Sequence, residues 1–73
     1  MKNYIKDFYG KIIGSIEEEP NGDRIAKDFY GRYLGRYKVS TGKTHDFYGR
    51  IIATGDITAS LVRDAERERQ EKK

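Results

Sequence analysis

Asp7-Phe8-Tyr9-Gly10-Lys11, Asp28-Phe29-Tyr30-Gly31-Arg32 and Asp46-Phe47-Tyr48-Gly49-Arg50 are nearly one pentapeptide written three times, at spacings of 21 and 18 residues. Self-similarity of this kind marks a stacked array of one supersecondary unit. A type I turn favours Asp at its first position, where the carboxylate accepts a bond from backbone two residues on. Gly suits the fourth position, where it takes the left-handed conformation that closes a hairpin with a bulge. Downstream of each turn, Ile12-Ile13-Gly14, Tyr33-Leu34-Gly35 and Ile51-Ile52-Ala53 place two apolar residues before a small one. Ile12, Gly14 and Ile16 alternate with Lys11, Ile13 and Ser15, which is the period-two pattern of a strand. The pattern predicts three β-hairpins with strands at 3–8, 11–18, 23–29, 32–39, 43–47 and 50–54, a six-stranded meander. Glu17-Glu18-Glu19-Pro20-Asn21-Gly22-Asp23 and Ser40-Thr41-Gly42-Lys43 connect one hairpin to the next.

The chain changes character after Gly55. From Asp56 onward five acidic and five basic residues are interspersed with Ala59 and Ala65, without Gly or Pro. This composition predicts a helix, capped by Asp56 or Thr58 and carrying Ile57, Leu61 and Ala65 on one stripe. Arg67 with Glu71 and Glu68 with Lys72 stand four apart, as ion pairs on a helix do. No apolar residue follows Ala65, so the last two turns are expected in water. A competing reading makes residues 57–63 the approach to a seventh strand, because Leu61-Val62-Arg63-Asp64 repeats the apolar, apolar, basic, Asp order. The expected organisation is therefore a three-hairpin β-repeat domain over 1–55 and a charged C-terminal helix over 56–73.

The three Asp-Phe-Tyr-Gly-Lys/Arg hairpins, each followed by an apolar pair and a small residue, resemble the β-flower proteins. In these small bacterial and phage proteins, repeated β-hairpins form the petals of a shallow closed barrel, similar in shape to the Tubby C-terminal domain and its scramblase-like relatives. The resemblance covers residues 4–54. It implies an all-β, small flower-like barrel, plugged or capped here by Ile57 and Leu61 of the short C-terminal helix. By analogy it implies an anionic lipid headgroup or another anion as ligand, and it carries no catalytic residue.

Composition narrows the chemistry further. With 73 residues the chain is one domain, and charged residues (37%) match hydrophobic ones (36%). It has no Cys and a single His45, which takes the place of Lys6 and Lys27 in the other units, so neither a thiolate metal site nor a catalytic His is expected. Glu17, Glu18, Glu19 and Asp23 lack the alternate-position acids of a calcium loop and read as a solvated turn. Asp7, Asp28 and Asp46 are explained by their turn positions and by pairing with the cation after each Gly. Gly10, Gly31 and Gly49 are isolated turn glycines without a nucleotide fingerprint. No apolar run approaches the roughly 18 residues that cross a bilayer. The expectation is a protein that is not an enzyme, needs no cofactor or metal, and is cytoplasmic or associated with a phage virion.

Two features point to binding. Phe8-Tyr9, Phe29-Tyr30 and Phe47-Tyr48 fill central turn positions where polar residues are usual, and hold six of the nine aromatic side chains. Either the Phe rings turn inward as the core of a closed ring, or they form an exposed surface for a partner. Beside them Lys11, Arg32 and Arg50 are equivalent by the repeat, and Arg36 extends the basic edge. Cations among aromatics suit an acidic lipid headgroup or single-stranded nucleic acid. The leading expectation is nonetheless a structural or protein-interaction module whose charged helix meets a protein partner. So small a chain without staples is expected to form a homo-oligomer, with Gly14, Gly35 and Ala53 clearing space for a close neighbour.

Overall fold

A computed structural model of the chain describes residues 2–71. Lys72, the expected partner of Glu68, lies outside them. Six strands, β1 (Lys2–Lys6), β2 (Ile12–Glu18), β3 (Arg24–Asp28), β4 (Tyr33–Lys38), β5 (Lys43–Asp46) and β6 (Ile51–Thr54), precede one helix, α1 (Thr58–Glu71). Each strand pairs antiparallel with the next, giving a single sheet in sequence order. Every strand end falls within two residues of its expected position, and the segment around Leu61 is helix, not a seventh strand. The sheet is not closed. Among the described residues β1 pairs only with β2 and β6 only with β5, so the expected barrel is replaced by an open sheet with two free edges.

Each repeat forms the turn its sequence predicts. The amide of Gly10 donates to the Asp7 carbonyl (3.0 Å) and that of Asp7 to the Lys11 carbonyl (2.9 Å), with Gly10 at φ +81°. The Asp7 carboxylate accepts from the amides of Tyr9 and Lys11, both at 2.9 Å. The second and third units repeat these bonds. Just beyond each turn the register slips by one, leaving Ile13, Leu34 and Ile52 as extra residues on β2, β4 and β6. A bulge of this kind breaks the alternation of faces. Ile13 consequently packs in the same cluster as Ile16, although strict period two places them on opposite faces.

The helix starts where three elements are tied together. Asp56 accepts from the Thr58 amide (3.0 Å) and hydroxyl (2.6 Å) and pairs with Arg24 of β3 at 2.9 Å. Fully buried Thr44 of β5 donates its hydroxyl to the Gly55 carbonyl (2.6 Å) and accepts from the Ile57 amide (3.1 Å). These bonds satisfy the backbone of the crossover and aim α1 back across the sheet. It packs over β2, β3 and β4, where Ile13, Ile16, Ala26 and Val62 form the core with Ile5, Leu34, Ala59 and Leu61 around them. The buried stripe is centred on Thr58 and Val62, one residue round from the expected Ile57, Leu61 and Ala65. In place of a plug by Ile57 and Leu61, Val62 sits on Gly14 and Leu61 on Gly35. A Cβ at Gly14 would lie 2.5 Å from both the Lys27 carbonyl oxygen and Val62 Cγ1, and one at Gly35 would meet the His45 carbonyl and Leu61 Cδ1. The small residues of the repeat make room for the helix.

Gly14→Ala is therefore expected to destabilise the fold by about 1–3 kcal/mol, as overpacking a well-filled core does. In a domain this size each kcal/mol lowers the thermal midpoint by about 4–8 °C. A midpoint unchanged from the parent chain would show that α1 does not lie on β2.

Candidate functional site: a row of aromatic turns

In a meander of six strands the turns at 7–11, 28–32 and 46–50 emerge from the same end of the sheet, in a row. Their rings do not enter the core. Phe8 is 95% exposed and Tyr9 88%, and Phe29, Tyr30, Phe47 and Tyr48 are exposed as well. The inward-turned Phe core expected for a closed ring is thus overturned. The helix takes that place, so the tips are left outside. Within each tip the two rings meet edge to face, at centroid distances of 5.5, 5.2 and 5.2 Å in chain order. Such pairs are favourable because the positive ring edge meets the negative face.

The cations beside the rings are tethered locally. Arg32 Nε donates to Asp28 Oδ2 (2.9 Å) while its guanidinium lies 5.1 Å from the Tyr30 ring centroid. Arg50 does the same with Asp46 (3.0 Å) and Tyr48 (5.1 Å). Removal from water pushes the Asp46 carboxyl up, but the bonds from the Arg50 amide and guanidinium and the Tyr48 amide outweigh this and hold it below its ordinary range. Arg36 leaves the row and faces Asp23 at 3.5 Å. Lys11 has no carboxylate within ion-pair distance among the described residues. Of the four cations expected to converge on an anion, three stand in the row on separate turns, and two of those carry their own counter-ion. The three turn aspartates likewise stay apart, and among the described residues no group of His, Asp and Glu gathers that could hold a metal. His45 is half-buried and its Nδ1 lies 3.2 Å from the Gly49 carbonyl, so that nitrogen carries the proton.

The end of the helix reaches the middle tip, although its polar sequence predicts turns standing in water. Arg69 lies 4.6 Å from the Phe29 ring centroid and 5.9 Å from that of Tyr30. Glu66 holds it there, accepting from Nε and Nη2 of Arg69 at 2.8 Å each. Arg67 pairs with Asp64, not with the expected Glu71. Sequence spacing gives no hint of the Arg69 contact, because a cation on a ring face reads as an ordinary solvated residue. Two grooves flank the docked helix end. One, of about 510 Å³, runs between Tyr33, Phe47 and Arg69, and the other, of about 520 Å³, between Phe8, Ile13 and Arg63. No helix among the described residues is long and apolar enough to cross a membrane.

Glu66 supplies a pH test of this contact. The hydrogen bonds from Arg69, then that from Gln70, hold its carboxyl below the ordinary value of 4.5. Because the folded value is depressed, its stabilisation is complete above about pH 4.5 and is lost as pH falls through the folded value. The Phe29 ring resonances are expected to move toward those of Phe8 over that acidic window, and Glu66→Gln to produce the same shift at neutral pH. Phe29 resonances insensitive to both would rule out the docked end. No family model, curated protein or solved structure matches the chain.

Proposed function

We propose that this chain is a non-catalytic interaction module whose row of three Phe-Tyr-Gly tips is the contact surface for another protein. One observation inside the molecule carries the reading. The connection Glu19-Pro20-Asn21-Gly22-Asp23 builds the same backbone turn as the tips, with the Gly22 amide donating to the Glu19 carbonyl (2.9 Å), the Glu19 amide to the Asp23 carbonyl (2.8 Å) and Gly22 at φ +99°. It does so with Pro and Asn at the positions that hold Phe and Tyr three times over at the other end. The turn therefore needs no aromatics, and neither does the core. Six large rings gathered at one end keep apolar surface in water at a cost in free energy, and that cost is removed when a partner covers them. Tyr and Arg are also the residues that most often dominate interfaces. The tethering of Arg32 and Arg50 by carboxylates favours an uncharged contact over the anion-binding alternative.

A random-peptide display library panned on the full chain tests this. Captured peptides are expected to lose binding to a Tyr9→Ala, Tyr30→Ala, Tyr48→Ala triple variant that keeps the parent's core amide spectrum. Peptides held equally by the variant, or no capture at all, would remove the row as the partner surface.

A further inference from the structure

We propose that the two free edges of the sheet bind each other between copies of this chain: β6 of one copy pairs antiparallel with β1 of a second, in the register that the repeat already uses inside the molecule. This goes beyond the reading of the tips as a partner surface and rests on the sheet alone.

The chain contains the proposed joint twice. Each hairpin pairs its second strand with the first strand of the next hairpin. At the β2–β3 joint Gly14 stands opposite Asp28 and Ser15 opposite Lys27. At the β4–β5 joint Gly35 stands opposite Asp46 and Arg36 opposite His45. Gly14, Gly35 and Ala53 are equivalent positions in the repeat, as are Asp7, Asp28 and Asp46. The repeat therefore specifies a third joint, with Ala53 opposite Asp7 of a second copy and Thr54 opposite its Lys6. Among the described residues no strand of the same chain takes either edge. A free edge presents unpaired amides and carbonyls, which are a template for another strand.

The side chains at the two edges are those that the internal joints cover. Ile25, flanked by β2 and β4, is 8% exposed, whereas Tyr4, which holds the same place on β1, is 57% exposed. Across the β4–β5 joint the ring of Tyr33, just past the second turn, lies 6.3 Å from that of Phe47 at the third tip. Ile12 and Phe29 likewise line one shallow groove across the β2–β3 joint. Ile51 is the counterpart of Ile12 and Tyr33, and Phe8 that of Phe29 and Phe47. Both Ile51 and Phe8 are exposed, and Phe8 is more so than either of its counterparts. The joint between copies brings Ile51 onto Phe8, covering two apolar groups that a single chain leaves in water. Lys6 does not oppose the pairing, since Lys27 holds that place in the β2–β3 joint and pairs there with Glu17 at 3.7 Å. Because each copy offers one edge of each kind, the contact is head to tail and repeats from copy to copy.

The chain has no Cys, so an engineered pair reads the register directly. Residues directly opposite in an antiparallel pair stand about 4.5–5.5 Å apart at Cα, within reach of a disulfide. Lys6→Cys and Thr54→Cys, both at exposed positions, are made separately and mixed in a glutathione redox buffer. The mixture is expected to form a disulfide dimer, which neither variant forms alone, and the double variant a ladder of dimers, trimers and larger species. Lys2→Cys mixed with Thr54→Cys is out of register and should stay monomeric. A dimer from either single variant alone, equal yields from the Lys2 and Lys6 mixtures, or no cross-link would overturn the proposal, as would a disulfide closed within one chain of the double variant. In sedimentation velocity at about 1 mM chain, the parent is expected above its 8.5 kDa monomer mass, and Ile51→Lys at that mass with the parent's core amide spectrum. A monomeric parent, or self-association unchanged in Ile51→Lys, would also overturn it.

Discussion

The close approach of α1 to the sheet at Gly14 and Gly35 is the constraint on which the rest of the molecule depends. A chain with only 36% hydrophobic residues has little to bury, and an isolated sheet face would stay wet. Leaving out two side chains on β2 and β4 lets Val62 and Leu61 reach the backbone, so that a few residues, Ile13, Ile16, Ala26 and Val62, make a sufficient dry centre. The bonds of Thr44 and Asp56 at the crossover set the direction of the helix, and Arg69 secures its far end. Because one helix closes the core, none of the six turn rings is needed there.

That division of labour makes the tips a surface. Each is rigid for local reasons: a carboxylate accepts two amides, a glycine takes the left-handed conformation, and two rings brace each other edge to face. Side chains held this way lose little freedom on meeting a partner, which is what a binding surface requires. The middle tip differs from its neighbours in carrying Arg69, so the row is not uniform although its sequence nearly is.

Much of this was legible in the residues, and what was not has a physical reason. The Asp-Phe-Tyr-Gly turns, the strands around them and the helix after Gly55 are set by neighbours a few positions apart, and local signals carry them. Sheet closure depends on whether β1 and β6 meet, a pairing of distant residues that no short motif encodes. The bulges at Ile13, Leu34 and Ile52 follow from the left-handed turn and break the period-two alternation that sets Ile13 and Ile16 on opposite faces. The helical stripe was displaced by one residue because Thr58, polar by type, is buried as part of the crossover. The turn rings were open to either reading, core or surface, since an aromatic pair does not say what covers it. The small residues mark room for a close neighbour, but that Val62 and Leu61 fill it at Gly14 and Gly35 is a tertiary fact.

The central claim is that a helix on a glycine-cleared sheet, and not a cluster of turn rings, forms the core. Nuclear Overhauser contacts in solution test it most directly. The account predicts cross-peaks from Val62 methyls to Gly14 α-protons and from Leu61 methyls to Gly35, with none between the rings of Phe8 or Phe47 and the methyls of Ile16 or Ala26. Ring-to-methyl cross-peaks of that kind, with the Val62 contacts missing, would contradict it.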